Sequence, residues 1–170
     1  MNLLFLRHGI AIDREDPKCP PNDFDRALTR EGIRKMNEAA RGMRALGIQF
    51  DAALSSPLVR ARQTTEIVVK HCKPTLKVEI FEDLAPGMNA IVVARLLSKK
   101  YPKDATILLV GHEPDFGRAV ATLAFGAPDA DFSLKKGGLA CVELGAAGAT
   151  PRGTLLWLLT PALLRAAGMK

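Results

Sequence analysis

Two of the three histidines in this chain stand beside a glycine, directly after an apolar run. Arg7-His8-Gly9 follows Leu3 to Leu6, and Gly111-His112-Glu113-Pro114 follows Ile107 to Val110. A third polar cluster, Ser55-Ser56-Pro57-Leu58-Val59-Arg60, follows the shorter run Ala52-Ala53-Leu54. A neutral imidazole nitrogen is a nucleophile, and a guanidinium fork matches the oxygens of a tetrahedral anion. The glycine beside each histidine lets the backbone approach a ligand. If the three runs are strands of one sheet, their chemistry emerges where open parallel sheets bind ligands, beyond the carboxyl ends. Arg7, His8, Arg60 and His112 then make a compact cationic pocket suited to a phosphoryl group.

The elements that must position these residues alternate between strand and helix. Leu3–Leu6 and Ile107–Val110 are continuous apolar runs, the signature of parallel strands covered on both faces. Ala52–Leu54 and Leu76–Ile80 are weaker strands. Ile33, Met36, Ala40 and Met43 recur at helical spacing, with Thr29 as N-cap and Gly47 as the stop. Ser56 and Pro57 read as the N-cap and first position of a helix running to about His71. Asn89 caps a helix through Lys100, Pro114 opens a fourth carrying Phe116, Val120 and Leu123, and Pro161 starts a short terminal one. Two late strands, 139–144 and 154–159, are joined by a loop bearing Gly and Pro. The expected fold is three-layer α/β: a mostly parallel central sheet, helices on both faces, and an antiparallel edge. Residues 11–28 lack any periodicity, and a stretch that long is more often a functional flap than a plain connector.

Composition narrows the classes. The chain of 170 residues has a core-forming apolar content, which argues for one domain, 1–170, and against disorder. Cys19, Cys72 and Cys141 are odd in number and far apart, so metal-ligand or redox spacing is absent and no metal or cofactor is expected. No apolar run approaches a membrane span or a signal-peptide core, and the expectation is a cytoplasmic protein. The net charge of +6 admits an anionic partner. Its cations are scattered and few aromatics interleave with them, so nucleic-acid binding is not expected.

Arg7-His8-Gly9, then Ser56-Pro57-Leu58-x-Arg60-Ala61-x-Gln63-Thr64, then Gly111-His112 together resemble the three motifs of the histidine phosphatase superfamily. That group is also called phosphoglycerate mutase-like, or RHG. The short length, Ser55 to Thr64, and Asp83-Leu84-Ala85-Pro86 are most similar to SixA-type phosphohistidine phosphatases. The resemblance implies that His8 takes the phosphoryl group covalently. It implies that Arg7 and Arg60 hold the equatorial oxygens, that His112 adds a donor, and that the Gly9 turn lies against the substrate. His8 must present a neutral nitrogen, so an acceptor such as a backbone carbonyl should orient the other. The substrate implied is a phosphohistidine on a protein, such as a phosphotransfer domain. The alternatives are a small phosphate ester or sugar phosphate, and a non-catalytic module that recognises phosphorylated partners.

Other polar residues have plainer readings. Arg62 is structural, because in the family the arginine preceding Ala61 points inward. Ser56 is a helix cap or a phosphate contact, and His71 is a cation complementing a helix C-terminus. Lys135-Lys136 is a solvated turn or a contact for an acidic partner. An acid to protonate an alkoxide leaving group would come from Glu82, Asp83 or Asp13, with Asp83 best by position.

Overall fold

The computed structural model describes residues 1–145 and 151–169. In chain order its elements are β1 (Asn2–Arg7), α1 (Arg30–Ala45), β2 (Ala52–Ser55), α2 (Val59–Cys72) and β3 (Val78–Ile80). They continue with α3 (Ala90–Lys100), β4 (Thr106–Gly111), α4 (Asp115–Val120), β5 (Leu139–Leu144), β6 (Gly153–Leu159) and α5 (Pro161–Ala167). Successive side chains on a strand point to opposite faces, so a strand apolar throughout needs cover on both. Leu3 and Phe5 of β1, with Ile107 and Leu109 of β4, pack on one face beneath α3 and α4. Leu4, Leu6, Leu108 and Val110 pack on the other beneath α1, α2 and α5. The architecture is the expected three-layer α/β sandwich.

The six strands lie in the order β3-β2-β4-β1-β5-β6. The first four strands in the sequence run parallel, while β5 is antiparallel to β1 and β6 to β5. The antiparallel part thus spans two strands, with β6 at the edge. Residues 146–150 of the loop expected between them lie outside the described residues. Register is what matters for chemistry. Arg7 pairs with Gly111 and Ser55 with Val110, so β1, β4 and β2 end side by side. His8 N–H donates to Gly111 O at 3.1 Å and Ser56 N–H to Val110 O at 2.9 Å, carrying the alignment past the strand ends.

Local signals hold at several ends. Thr29 caps α1 by accepting from Gly32 N, and Asn89 caps α3 by accepting from Ile91 N and Val92 N. Gly47 follows the end of α1 at φ +68°, the left-handed region that glycine adopts without strain. Gly32 is needed for another reason: a Cβ there would lie 2.0 Å from Ile10 O, so α1 packs directly on the turn after His8.

Two expectations are corrected. α2 starts at Val59, with Leu58 at the N-cap and no side-chain cap bond, rather than at Pro57 behind Ser56. Ser56 prolongs the sheet through its N–H to Val110 O, and its hydroxyl bonds His112 Nε2 at 2.7 Å besides accepting a long 3.4 Å bond from Leu58 N–H. His71 is not a helix-end cation: its Nε2 bonds Asn37 Oδ1 on α1 at 2.8 Å. Burial, then Arg41, Lys70 and Arg44, push its pKa down.

Residues 11–28 form a flap pinned at its base. Ala11 bridges Leu28, Ile12 N–H donates to Ala27 O, and Arg26 Nη1 donates to Ile12 O at 2.8 Å. Its returning limb carries a 3-10 turn, Asp23–Asp25, capped by Asn22.

Candidate active site

The ends of β1, β2 and β4 bring His8, Arg7, Arg60 and His112 together. The two imidazole ring centres are 5.1 Å apart. Arg60 comes from the first turn of α2 and is 3% exposed, whereas Arg62, two positions on, is exposed. A helix turns about 100° per residue, so neighbours this close cannot share a face.

The bonding of His8 defines its tautomer. Its Nδ1 lies 2.7 Å from Gly9 O, and a carbonyl can only accept, so Nδ1 carries the proton. Arg60 Nε–H points at His8 Nε2 from 3.3 Å, where only a lone pair can receive it. The ring is therefore neutral, with its Nε2 lone pair toward the arginine. The Gly9 carbonyl is the backbone acceptor that the sequence left unnamed. Gly9 N–H donates to Thr64 Oγ1 at 3.1 Å, so both polar groups of Gly9 are used within the protein. A Cβ on Gly9 would sit 2.6 Å from Met36 Cγ, so the packing of α1 also favours glycine here.

His112 Nε2 shares a 2.7 Å hydrogen bond with the fully buried Ser56 Oγ, and its Nδ1 is buried without a partner. Arg7 Nη1 donates to Leu134 O at 2.6 Å, while its Nε is likewise buried and unpaired. Two of the three unpaired buried side-chain atoms among the described residues thus belong to this cluster. Glu113 joins the support, since its carboxylate accepts from Leu134 N at 2.7 Å and its charge favours the Arg7 cation.

Reading the sequence missed Asp23. Arg60 Nη2 donates to Asp23 Oδ2 and Nη1 to Asp23 O, each at 2.8 Å. The flap is thereby tied to the pocket. Arg26 and Arg14 also reach Asp23 Oδ1, at 3.0 and 3.2 Å. Partial burial disfavours its charge. The hydrogen bond from Arg60 and the fields of the three arginines outweigh that and hold the carboxyl below its ordinary pKa. Asp83 and Glu82 lie exposed in a 3-10 turn after β3, and Asp13 is exposed on the flap. Among the described residues none of the three bonds to the histidines or to Arg7 and Arg60. The signal that could have raised Asp23 is its place in an unpatterned, charge-rich flap.

Burial first, then the nearby His112, Arg60 and Arg7, push His8 down to about 3, against the pull of the Gly9 bond. Burial first, then Arg60, push His112 down to about 4, with Asp23 opposing. A histidine depressed in the fold titrates near 6.5 when unfolded. Its contribution to stability is therefore complete above that value and is lost as pH falls toward 3–4. Each pH unit in this window is expected to remove up to about 1.4 kcal/mol per histidine. Urea titrations at pH 7 and pH 5 should show this as a lower midpoint at pH 5, with a smaller drop in His8→Gln. Equal pH dependence in the variant would contradict it.

A cavity of about 520 Å³ lies at the opposite edge of the sheet, between Met1, Lys103 and Arg152, and holds none of these residues. No helix is long and apolar enough to cross a membrane, and no His, Cys, Asp or Glu cluster is assembled for a metal, among the described residues.

Comparison with known proteins places the fold and the family. The sequence profile of the histidine phosphatase superfamily (branch 1) matches residues 3–86. An uncharacterized protein of Picosynechococcus sp. is 39% identical over 148 residues, covering 86% of this chain and 87% of the relative. Phosphohistidine phosphatase SixA of Escherichia coli is 28% identical over 169 residues, 98% of each chain. A solved structure of the protein histidine phosphatase SixA complexed with tungstate superposes with a TM-score of 0.81 at 27% identity. That match covers 96% of this chain and 99% of the other. With its three strand-end motifs gathered on a phosphoglycerate mutase-like sheet, the chain belongs to the histidine phosphatase superfamily and is a phosphatase.

Proposed function

We propose that this phosphatase acts on phosphohistidine in a protein, with His8 as nucleophile, Arg7 and Arg60 holding the phosphoryl oxygens, and His112 as a further donor. His8 Nε2 forms a bond to phosphorus as the bond from phosphorus to the substrate imidazole breaks, and that imidazole leaves with a proton from solvent. Water then attacks the phosphorus, releasing phosphate and restoring His8. The neutral His8 ring, oriented by Gly9 O, is in the state this attack needs.

The observation that carries the choice of substrate is the state of the carboxylate beside the pocket. Asp23 is held ionised by three arginines, and an ionised carboxylate cannot protonate an alkoxide. A positioned acid accelerates such a step by about 10²–10⁴-fold. Imidazole is a far better leaving group and can take its proton near neutral pH. Support also comes from the name of the Escherichia coli relative and from Lys135 and Lys136. Both are exposed, next to Gly137 and Gly138, which bond the Arg7 backbone, so they flank the pocket where an acidic partner would approach.

The test is kcat/KM on a phosphohistidine-bearing protein, on phosphoserine and on sugar phosphates, in excess chelator. The protein should be favoured by about 10²-fold or more, the low end of what a missing acid costs an ester. Asp83→Asn should change it little. Faster turnover of sugar phosphates, or an Asp83→Asn variant as inactive as one lacking His8, would establish a small-molecule phosphomonoesterase instead.

A further inference from the structure

The bonds around Arg60 pose a problem for the attack just described. Its Nε–H lies on the His8 Nε2 lone pair at 3.3 Å, and a lone pair engaged with a donor cannot reach phosphorus. The opposite edge of the same guanidinium is bonded twice to Asp23, through carboxylate and carbonyl, at 2.8 Å each. Arg60 must turn from both for the phosphoryl group to sit over His8. We propose that Asp23 is a latch: it holds Arg60 over the nucleophile, and the phosphoryl group competes with Asp23 for that guanidinium, freeing the flap as it binds. The proposal rests on the reading of Arg60 as a phosphoryl holder.

Three features suit Asp23 to this role. Its carboxylate keeps Arg14 and Arg26 when Arg60 leaves, so the exchange strands no charge. Among the described residues the polar bonds from the flap to Arg60 are those of Asp23, the remaining ties lying at the base, including Leu28 N–H to Gln63 Oε1. An anionic carboxylate beside a phosphate dianion also repels it, so the latch closes again as the product departs. Asp23 is thus a positioning residue that sets how tightly free oxyanions bind, because affinity falls with the fraction of the protein in the competent state.

Inhibition of aryl phosphate hydrolysis by tungstate and by inorganic phosphate tests this. Asp23→Asn should lower both inhibition constants by about fivefold or more. Asp25→Asn removes an exposed charge from the same turn and should leave them within about twofold. In the unaltered protein, saturating tungstate should speed tryptic cleavage after Lys18 on the flap, and in Asp23→Asn cleavage should be fast with or without it. The proteolysis needs no variant, so it decides the matter even if Asp23→Asn is unstable. Inhibition constants unchanged or raised in a folded Asp23→Asn, or a flap that tungstate protects, overturn the latch alone. Tungstate binding that survives Arg60→Ala removes the phosphoryl role of Arg60, and the latch with it.

Discussion

Replacing His8 with alanine is expected to reduce turnover by about four orders of magnitude or more, the scale seen when an enzyme loses its nucleophile. The pocket offers no substitute. Burial and cationic neighbours keep His112 neutral as well, but its Nε2 is bonded to Ser56 Oγ at 2.7 Å, and its Nδ1 is buried. The carboxylate bonded to Arg60, that of Asp23, is engaged by three arginines. Brief incubation with a labelled substrate and an alkaline quench should trap acid-labile phosphate on His8, since a phosphohistidine survives alkali and not acid. The variant should keep its fold, because removing the ring leaves a space at a strand end rather than within either apolar layer. Label on another residue, or an active His8→Ala, would refute the assignment.

Arg60→Ala should cost about 10²–10³-fold in kcat/KM, the usual loss when one preorganised donor to a charged transition state is removed. Arg60→Lys should recover little of it. A lysine is a point charge without a fork, and from the first turn of α2 it cannot span His8, Asp23 and a phosphoryl oxygen together. The loss should appear in kcat as well as KM, because charge on the equatorial oxygens is greatest in the transition state. Steady-state kinetics beside thermal melts separate this from unfolding. A loss confined to KM would make Arg60 a docking group, and full rescue by lysine would show that charge without geometry suffices.

How much of this was legible beforehand depends on the range of the interaction involved. Strand β1, strand β4, the caps Thr29 and Asn89, and the stop at Gly47 rest on alternation of faces and on bonds within a few residues. Those are local, and the sequence by itself determined them. It also pointed to the residues that leave the sheet at one edge, since Arg7, His8 and His112 stand at the ends of apolar runs and Arg60 closes the cluster after a third. Confusions arose where a residue's partner lies far along the chain. Ser56 reads as a cap because Pro57 follows it, yet its hydroxyl goes to His112, 56 positions away. His71 reads as a helix-end cation until α1 sets Asn37 against it.

Only the tertiary structure decided which carboxylate meets the pocket. Asp13, Asp23, Asp25, Glu82 and Asp83 are alike in type and all lie in irregular segments, so no periodicity separates them. The choice falls to the folding of an 18-residue flap back over Arg60, a contact 37 positions apart in the chain. The protonation state of the histidines was settled the same way. An imidazole stays neutral here because neighbouring layers exclude water and bring two arginines close. Desolvation and the field of distant charges belong to the packed molecule, and no reading of adjacent residues contains them.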